Sequence, residues 1–298
     1  MQAFINLQKE CLSLMQQSAQ CKENCPLNHY CQEKQCNEGD CSNCMHQIQY
    51  ENKLFTYSCY RITYHYVLRF FNRFSSEIFH LMDQIHYTNC FDMNVVSLGC
   101  GPGSEVYGII KSLLTKKTDT ILHYEGHDLN PIWEPVQTMS KGYLKQLPHE
   151  INFFTTDLFN DFHGFTNNEV DLLVLNYLLS DAVKFMSMDK RKEFIQEIVD
   201  FVIVHNVRNI LFNDIAYYGN YEKLDSGTQL MKLFIQNLKE KGKTFETHYY
   251  YYSDNQMLKD KGWTKHNSNR NMLSVQKDNN YMINVDYCNS AQIYINIK

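Results

Sequence analysis

Residues Asn94 to Glu105 read Asn-Val-Val-Ser-Leu-Gly-Cys-Gly-Pro-Gly-Ser-Glu, an apolar run that ends in three alternating glycines. Val95, Val96 and Leu98 suit a buried strand, and Gly99, Gly101 and Gly103 let the backbone bend sharply and leave room for a ligand to approach it. From Ser104 to Lys117, Val106, Ile109, Ile110, Leu113 and Leu114 recur at helical spacing, and Lys116 and Lys117 sit at the negative end of that helix. A strand, a glycine turn and a helix N-terminus in this order make a corner suited to nucleotides.

The glycine spacing decides what kind of corner it is. The dinucleotide fingerprint is G-x-G-x-x-G/A, whereas here Ser104 stands where its third small residue belongs. Leu98 to Gly103, Leu-Gly-Cys-Gly-Pro-Gly, resembles the first motif of the class I S-adenosylmethionine-dependent methyltransferases. The resemblance spans roughly residues 91–298. It implies an α/β fold, a doubly wound, seven-stranded, mostly parallel Rossmann-like sheet, with S-adenosylmethionine at the strand ends and a turn formed by Gly99, Cys100, Gly101 and Gly103. Family members commonly carry an acid where this chain has Ser97. Glu105 is placed to supply a carboxylate from the other side of the turn, or else to favour the helix dipole as a first-turn acid.

Downstream the chain alternates between strand and helix patterns. Ile121–His127 reads as a second strand ending in Asp128, which the resemblance assigns to the cofactor's ribose hydroxyls, with Leu129 beside it. Asn130-Pro131 is also a helix start, and Trp133 is placed either to shield the adenosine or to pack. A third strand, Ile151–Phe154, leads to Asp157 and Leu158, which match the family's adenine-contacting pair. The Val170–Leu175 strand runs into Asn176-Tyr177-Leu178-Leu179-Ser180-Asp181, a loop at the position of the family's fourth motif without its N-P-P-Y form. Asn176 and Tyr177 are candidates to orient an acceptor, Asn176 also to contact the cofactor, and Asp181 to take a proton. After a helix at Asp189–Val204, the fifth strand Asn209–Ile215 brings in Asp214 as a candidate general base, with Tyr217, Tyr218 and Tyr221 nearby. A helix over Thr228–Lys241 and two antiparallel strands, Tyr249–Tyr252 and Val285–Ile297, complete the expected sheet. Lys259, Lys261, Lys265 and Arg270 form a candidate basic patch or a solvated loop between them.

The N-terminal part has a different composition. Of 11 cysteines, seven fall in the first 44 residues, at positions 11, 21, 25, 31, 36, 41 and 44. Nothing in the sequence reads as an export signal, so metal ligation outranks a disulfide framework, and apolar residues are too sparse there to build a core unaided. Zinc held by four ligands drawn from Cys21, Cys25, Cys31, Cys36, Cys41, Cys44, His29 and His46, with Cys25, Cys31, Cys41 and Cys44 favoured, is the expectation; an iron-sulfur cluster, disulfides and free thiols are its alternatives. From Tyr57 to Met82 an aromatic stripe runs at helical spacing through Ile62, Tyr66, Phe70, Phe74 and Ile78. It either packs on the sheet or roofs the cofactor site with Tyr57, Tyr60, Tyr64 or His65 toward the substrate. The expected divisions are a cysteine-rich module over 1–56, a helical cap over 57–90 and the methyltransferase domain over 91–298.

A formal net charge of −5 argues against a dominant nonspecific grip on nucleic acid. No run reaches the ~18 apolar residues of a membrane span, which gives an intracellular, cytoplasmic expectation. The resemblance implies an enzyme whose acceptor is RNA or protein, a small-molecule acceptor and a noncatalytic binding or assembly protein being the alternatives. Oligomeric state is left open.

Overall fold

The structure is a computed structural model that describes residues 2–17, 41–46, 48, 57, 59–85, 91–160, 162, 165, 169–252, 255–272 and 287–298. Its N-terminal helices are α1 (Gln2–Gln17), α2 (Cys41–His46) and α3 (Tyr60–Tyr66), the last passing through a π-helical turn, Val67–Phe71, into α4 (Asn72–Asp83). Then follow β1 (Asp92–Leu98), α5 (Ser104–Lys116), β2 (Ile121–Asp128), a 3-10 turn Pro131–Trp133, α6 (Glu134–Leu144), β3 (Glu150–Thr155), β4 (Leu172–Asn176), α7 (Leu178–Phe185) and α8 (Met188–Val204). The chain ends with β5 (Asn209–Ile215), α9 (Gly227–Glu240), β6 (Phe245–Tyr251), α10 (Gln256–Asp260), β7 (Thr264–Lys265) and β8 (Ser290–Ile297).

The strands form one sheet in the order β3-β2-β1-β4-β5-β8-β6-β7, doubly wound and mostly parallel, with β8 antiparallel to both neighbours. From β1 the chain turns first toward β2 and β3 and later toward β4 and β5, which makes the β1/β4 boundary the switch point where ligands of such sheets sit. Register brings the carboxyl ends level. Leu98 pairs with His127 and with Leu175, and Asn176 with Asn213, so Gly99, Asp128, Asn176 and Asn213 share the rim.

Alternation along β1 divides the core. Val95 faces a layer with Leu122, Val106 and Ile110, which α1 (Phe4, Leu7, Cys11) and α4 (Ile78, Leu81) join. Val96 and Leu98 face the opposite layer with α8 (Phe194, Ile198) and α9 (Leu230, Phe234). Gly108 matters to this packing, because a Cβ there would lie 2.3 Å from the Ser75 carbonyl oxygen, closer than α4 and α5 could tolerate.

Three expectations need correction. The sheet has eight strands rather than seven, because the excursion after β6 forms α10 and the short edge strand β7. Residues 178–185 form a helix instead of a loop, since Leu178, Leu179 and Ala182 recur at helical spacing and are buried on one face. The last strand begins at Ser290, and Val285 lies outside the described residues.

Candidate functional site

The glycine turn is left-handed at each of its glycines, with φ of 68° at Gly99, 50° at Gly101 and 78° at Gly103, a region side chains rarely enter. It is anchored from β2: the amides of Gly99 and Cys100 donate to the His127 carbonyl at 2.8 and 3.0 Å, and the Gly101 amide donates to Asp128 Oδ2 at 2.8 Å. An added Cβ at Gly99 or Gly103 would meet Leu178 or Phe153 at 2.7 Å, while at Gly101 the nearest atom, on Trp133, is 3.8 Å away. Gly101 is therefore the open face of the turn, toward a cavity of about 990 Å³ at the carboxyl edge of the sheet.

Several predicted residues meet on that cavity. Gly99, Gly101, Asp128, Leu129, Leu158, Asn176, Tyr177 and Asp181 line it. Asp128 also accepts from the Asn130 amide at 2.8 Å, and burial raises its carboxyl to about 6 against the pull of the Asn130 and Gly101 amides. Gly103 and Cys100 do not line the cavity; Cys100 is buried behind the turn with its thiol pushed well above its usual range by burial, Asp128 and Glu105. Ser97 and Glu105 are fully buried and bonded to each other: Glu105 Oε1 accepts from Ser97 Oγ at 2.7 Å and from the Tyr124 hydroxyl at 2.5 Å. Their side chains thus sit behind the turn, and burial raises the Glu105 carboxyl. Asp157 is also off the cavity wall, its oxygens accepting from the Phe159 and Asn160 amides and the Asn160 side chain in a local turn.

Beyond Asn176 the cavity is roofed by the aromatic stripe. Tyr57, Tyr66, Phe70 and Phe74 line it, joined by Trp133, with ring centroids 5.1 Å apart for Tyr57–Trp133 and 5.2 Å for Tyr66–Trp133. The roof expectation thus finds Tyr57 in place, whereas Tyr60 is exposed and Tyr64 and His65 are buried off the wall. Half a turn decides it, because Tyr66, Phe70 and Phe74 share the face that points down.

Sequence reading missed the group that holds the roof in place. Glu77, on α4 and 0% exposed, accepts from Arg73 Nε at 3.0 Å, the Asn289 amide at 2.8 Å, the Tyr177 hydroxyl at 3.0 Å and Asn213 Nδ2 at 3.0 Å. Arg73 also donates to the Tyr177 hydroxyl at 2.7 Å, and Asn213 Nδ2 to Asn176 Oδ1 at 2.8 Å. Tyr177, a non-glycine residue at φ 60°, is held there by this network, by its amide bond to the Asn213 carbonyl and by Phe74, whose ring centroid lies 4.1 Å away. Burial pushes the Tyr177 hydroxyl far above its usual range. The only local trace is Arg73 and Glu77 one helical turn apart, a spacing that ordinarily marks a solvated pair.

The two candidate bases differ. Asp214 is 0% exposed and off the cavity wall; Oδ2 accepts from the Ser180 amide at 2.9 Å, which tethers the start of α7, and burial raises the carboxyl to about 6. Asp181 opens to the cavity and, among the described residues, its carboxylate accepts no hydrogen bond. Solvent reaches it through the cavity although protein surrounds it; that confinement, with Asp214 and Asp128 nearby and Lys184 in partial opposition, raises it to about 7.

Of the predicted metal ligands, Cys21, Cys25, His29, Cys31 and Cys36 lie outside the described residues. Cys41 and Cys44 are buried in a cluster with Met45, Ile48, Ile62 and the roof residues Phe70 and Phe74, and neither cysteine lines the cavity. Among the described residues no group of three or more His, Cys, Asp or Glu side chains is arranged to hold a metal ion, and no helix is long and apolar enough to cross a membrane.

No protein-family model and no curated protein matches the chain. Solved structures similar to it include a putative class I S-adenosylmethionine-dependent methyltransferase from Listeria monocytogenes, at 12% identity and TM-score 0.45, covering 98% of this chain and 79% of that one. Magnesium protoporphyrin IX methyltransferase from Synechocystis PCC 6803, solved with bound S-adenosylmethionine, is 10% identical with TM-score 0.40, covering 87% of this chain and 92% of that one. WbdD, solved with a kinase inhibitor, is 13% identical with TM-score 0.38 over 69% of this chain, which spans 36% of that protein.

Proposed function

We propose that the chain is an S-adenosylmethionine-dependent methyltransferase. The observation that supports it is the row Gly99, Gly101, Asp128 and Asn176, set level at the rim of β1, β2 and β4 and facing one cavity. These residues fit the group: Gly101 leaves the turn open, and the Asp128 oxygens keep lone pairs for a pair of hydroxyls. Leu129 and Leu158 offer apolar surface for a purine. When bound, S-adenosylmethionine supplies a methyl group activated on a sulfonium sulfur. The chain's own work is to orient the acceptor and take up its proton. Asp181 is the carboxylate open to do so, because Asp214 is engaged by the α7 amide and Tyr177 by Arg73 and Glu77.

Calorimetry with S-adenosylmethionine, S-adenosylhomocysteine and NAD tests the donor. Micromolar binding of the first two is expected, and a preference for NAD, or binding of none, overturns the reading. Transfer of labelled methyl to total RNA, protein and small-molecule extracts then separates the acceptors carried from the sequence. A second reading, a noncatalytic binding or assembly protein, draws on the engagement of Tyr177 and Asp214; it predicts donor binding with no label transferred. Zinc in the cysteine-rich segment is proposed on composition, and about one zinc per chain by metal analysis is its expected result.

A further inference from the structure

Past the glycine turn, the cavity is lined by Tyr66, Phe70, Phe74 and Tyr177 and by Ser180 and Asp181 in the first turn of α7. Its walls there are aromatic, and Asp181 projects into it without a hydrogen-bond partner among the described residues. The nearby cations are already committed. Arg73 is paired with Glu77 and lies over the Phe74 and Tyr177 rings at 5.4 and 5.8 Å, and Lys184 Nζ donates to the Ile48 carbonyl. We propose that this end of the cavity binds an organic ammonium group attached to an apolar body, the charge on Asp181 and the body against the aromatic wall.

Aromatic rings with a carboxylate at one end suit a cation that keeps an apolar stem, because ring quadrupole and carboxylate both attract it while the rings exclude water. An anionic ligand would face Asp181 and Asp128 with no uncommitted cation on the described wall. The groups around Asp181 are Lys184 on its own helix, Asp214 on β5, Asp128 at the end of β2 and Tyr66 on α3. Confinement by the surrounding protein, and after it the nearby Asp214 and Asp128 carboxylates, raise Asp181 to about 7, and an ammonium beside it offsets both. The binding claim stands on the cavity alone; identifying the amine with the methyl acceptor rests on the methyltransferase reading.

The test is calorimetry on the full chain with phenethylamine, 2-phenylethanol and 3-phenylpropionate, with and without saturating S-adenosylhomocysteine. Alkylammonium groups stay charged up to about pH 10, so what titrates near neutrality is the protein's carboxylates, Asp181 at about 7 beside the amine and Asp128 and Asp214 at about 6. The amine is expected to bind at least tenfold tighter than the alcohol or the carboxylate at pH 8. Its affinity should weaken toward tenfold per pH unit below 7, as Asp181 takes up a proton. Asp181→Asn should remove both the pH slope and the preference for the amine, whereas Phe74→Leu should weaken all apolar probes and keep the slope. Equal binding of alcohol and amine, a slope that survives Asp181→Asn, or loss of amine binding in the presence of S-adenosylhomocysteine each overturn the proposal. Amine binding without any binding of S-adenosylmethionine leaves the proposal standing and removes the methyltransferase reading. A blocked lysine tripeptide in place of phenethylamine identifies the source: tighter peptide binding supports a polypeptide lysine, weaker peptide binding a free amine.

Discussion

The two halves of the cavity are held by different kinds of contact. On the glycine-turn half, the anchors join neighbouring elements of one βαβ unit, as in the Gly101–Asp128 bond spanning 27 residues. On the roofed half, Glu77 reaches Tyr177 across 100 residues, Asn213 across 136 and Asn289 across 212. The first half is a local motif that one stretch of chain can encode. The second exists only once α4, β4, β5 and the approach to β8 have met, and it rests on one buried carboxylate.

That contrast makes Glu77 the point of greatest leverage. Glu77→Ala leaves Arg73 without its counter-charge in a buried setting, and a loss of about 3–5 kcal/mol is expected in urea unfolding. A loss no larger than that of a substitution in the glycine turn would break the distinction between the halves.

Asp214 sharpens the comparison through pH. Its carboxyl is raised from 3.8 to about 6 on folding, so its contribution to stability is complete below about pH 4 and lost as pH rises through 6. Asp214→Asn should therefore gain stability relative to the parent by about 3 kcal/mol between pH 4 and pH 7, read as the difference between two denaturation series. A difference independent of pH would mean that the carboxyl ionises at its ordinary value.

In the turn half the expected readout is binding. Asp128→Asn removes a charged acceptor and should weaken S-adenosylmethionine by about 10- to 100-fold in calorimetry, equivalent to about 1.5–3 kcal/mol. Gly101→Ala has the smallest effect on stability, about 1–2 kcal/mol from its left-handed backbone, since nothing lies within 3.8 Å of the new methyl. That methyl faces the cavity, so donor affinity should drop at least tenfold while thermal unfolding shifts by only a few degrees.

Legibility in the sequence follows the same division. The strand-turn-helix corner, the ends of β2 and β5 and the helices over 188–204 and 227–240 could be read because each is a periodic or turn-forming stretch whose partners lie nearby in the chain. Asp128 was found by position at a strand end, and the structure sets it on the cavity beside Gly101. Asp157 and Asp214 were found by the same rule, yet both lie off the cavity wall, their oxygens taken by amides of their own turn or of α7. Strand-end position and side-chain direction are separate facts, and only the first is periodic. The aromatic stripe was legible as a helix face, but whether Tyr64 or Tyr66 looks into the cavity depends on the rotation of α3 about its axis, which its packing on α1 and α2 and its continuation into α4 determine.

By itself, then, the sequence determined a glycine turn between a buried strand and a helix, an alternating α/β order and an acid after the second strand, because backbone conformation and hydrophobic period are local properties. Tertiary structure alone decided that Ser97 and Glu105 satisfy each other, that Arg73 and Glu77 leave the solvent to hold Tyr177, and that Asp181 is the carboxylate left open. Those outcomes depend on which polar groups are brought together without water, and burial of that kind is a property of the assembled sheet and its roof.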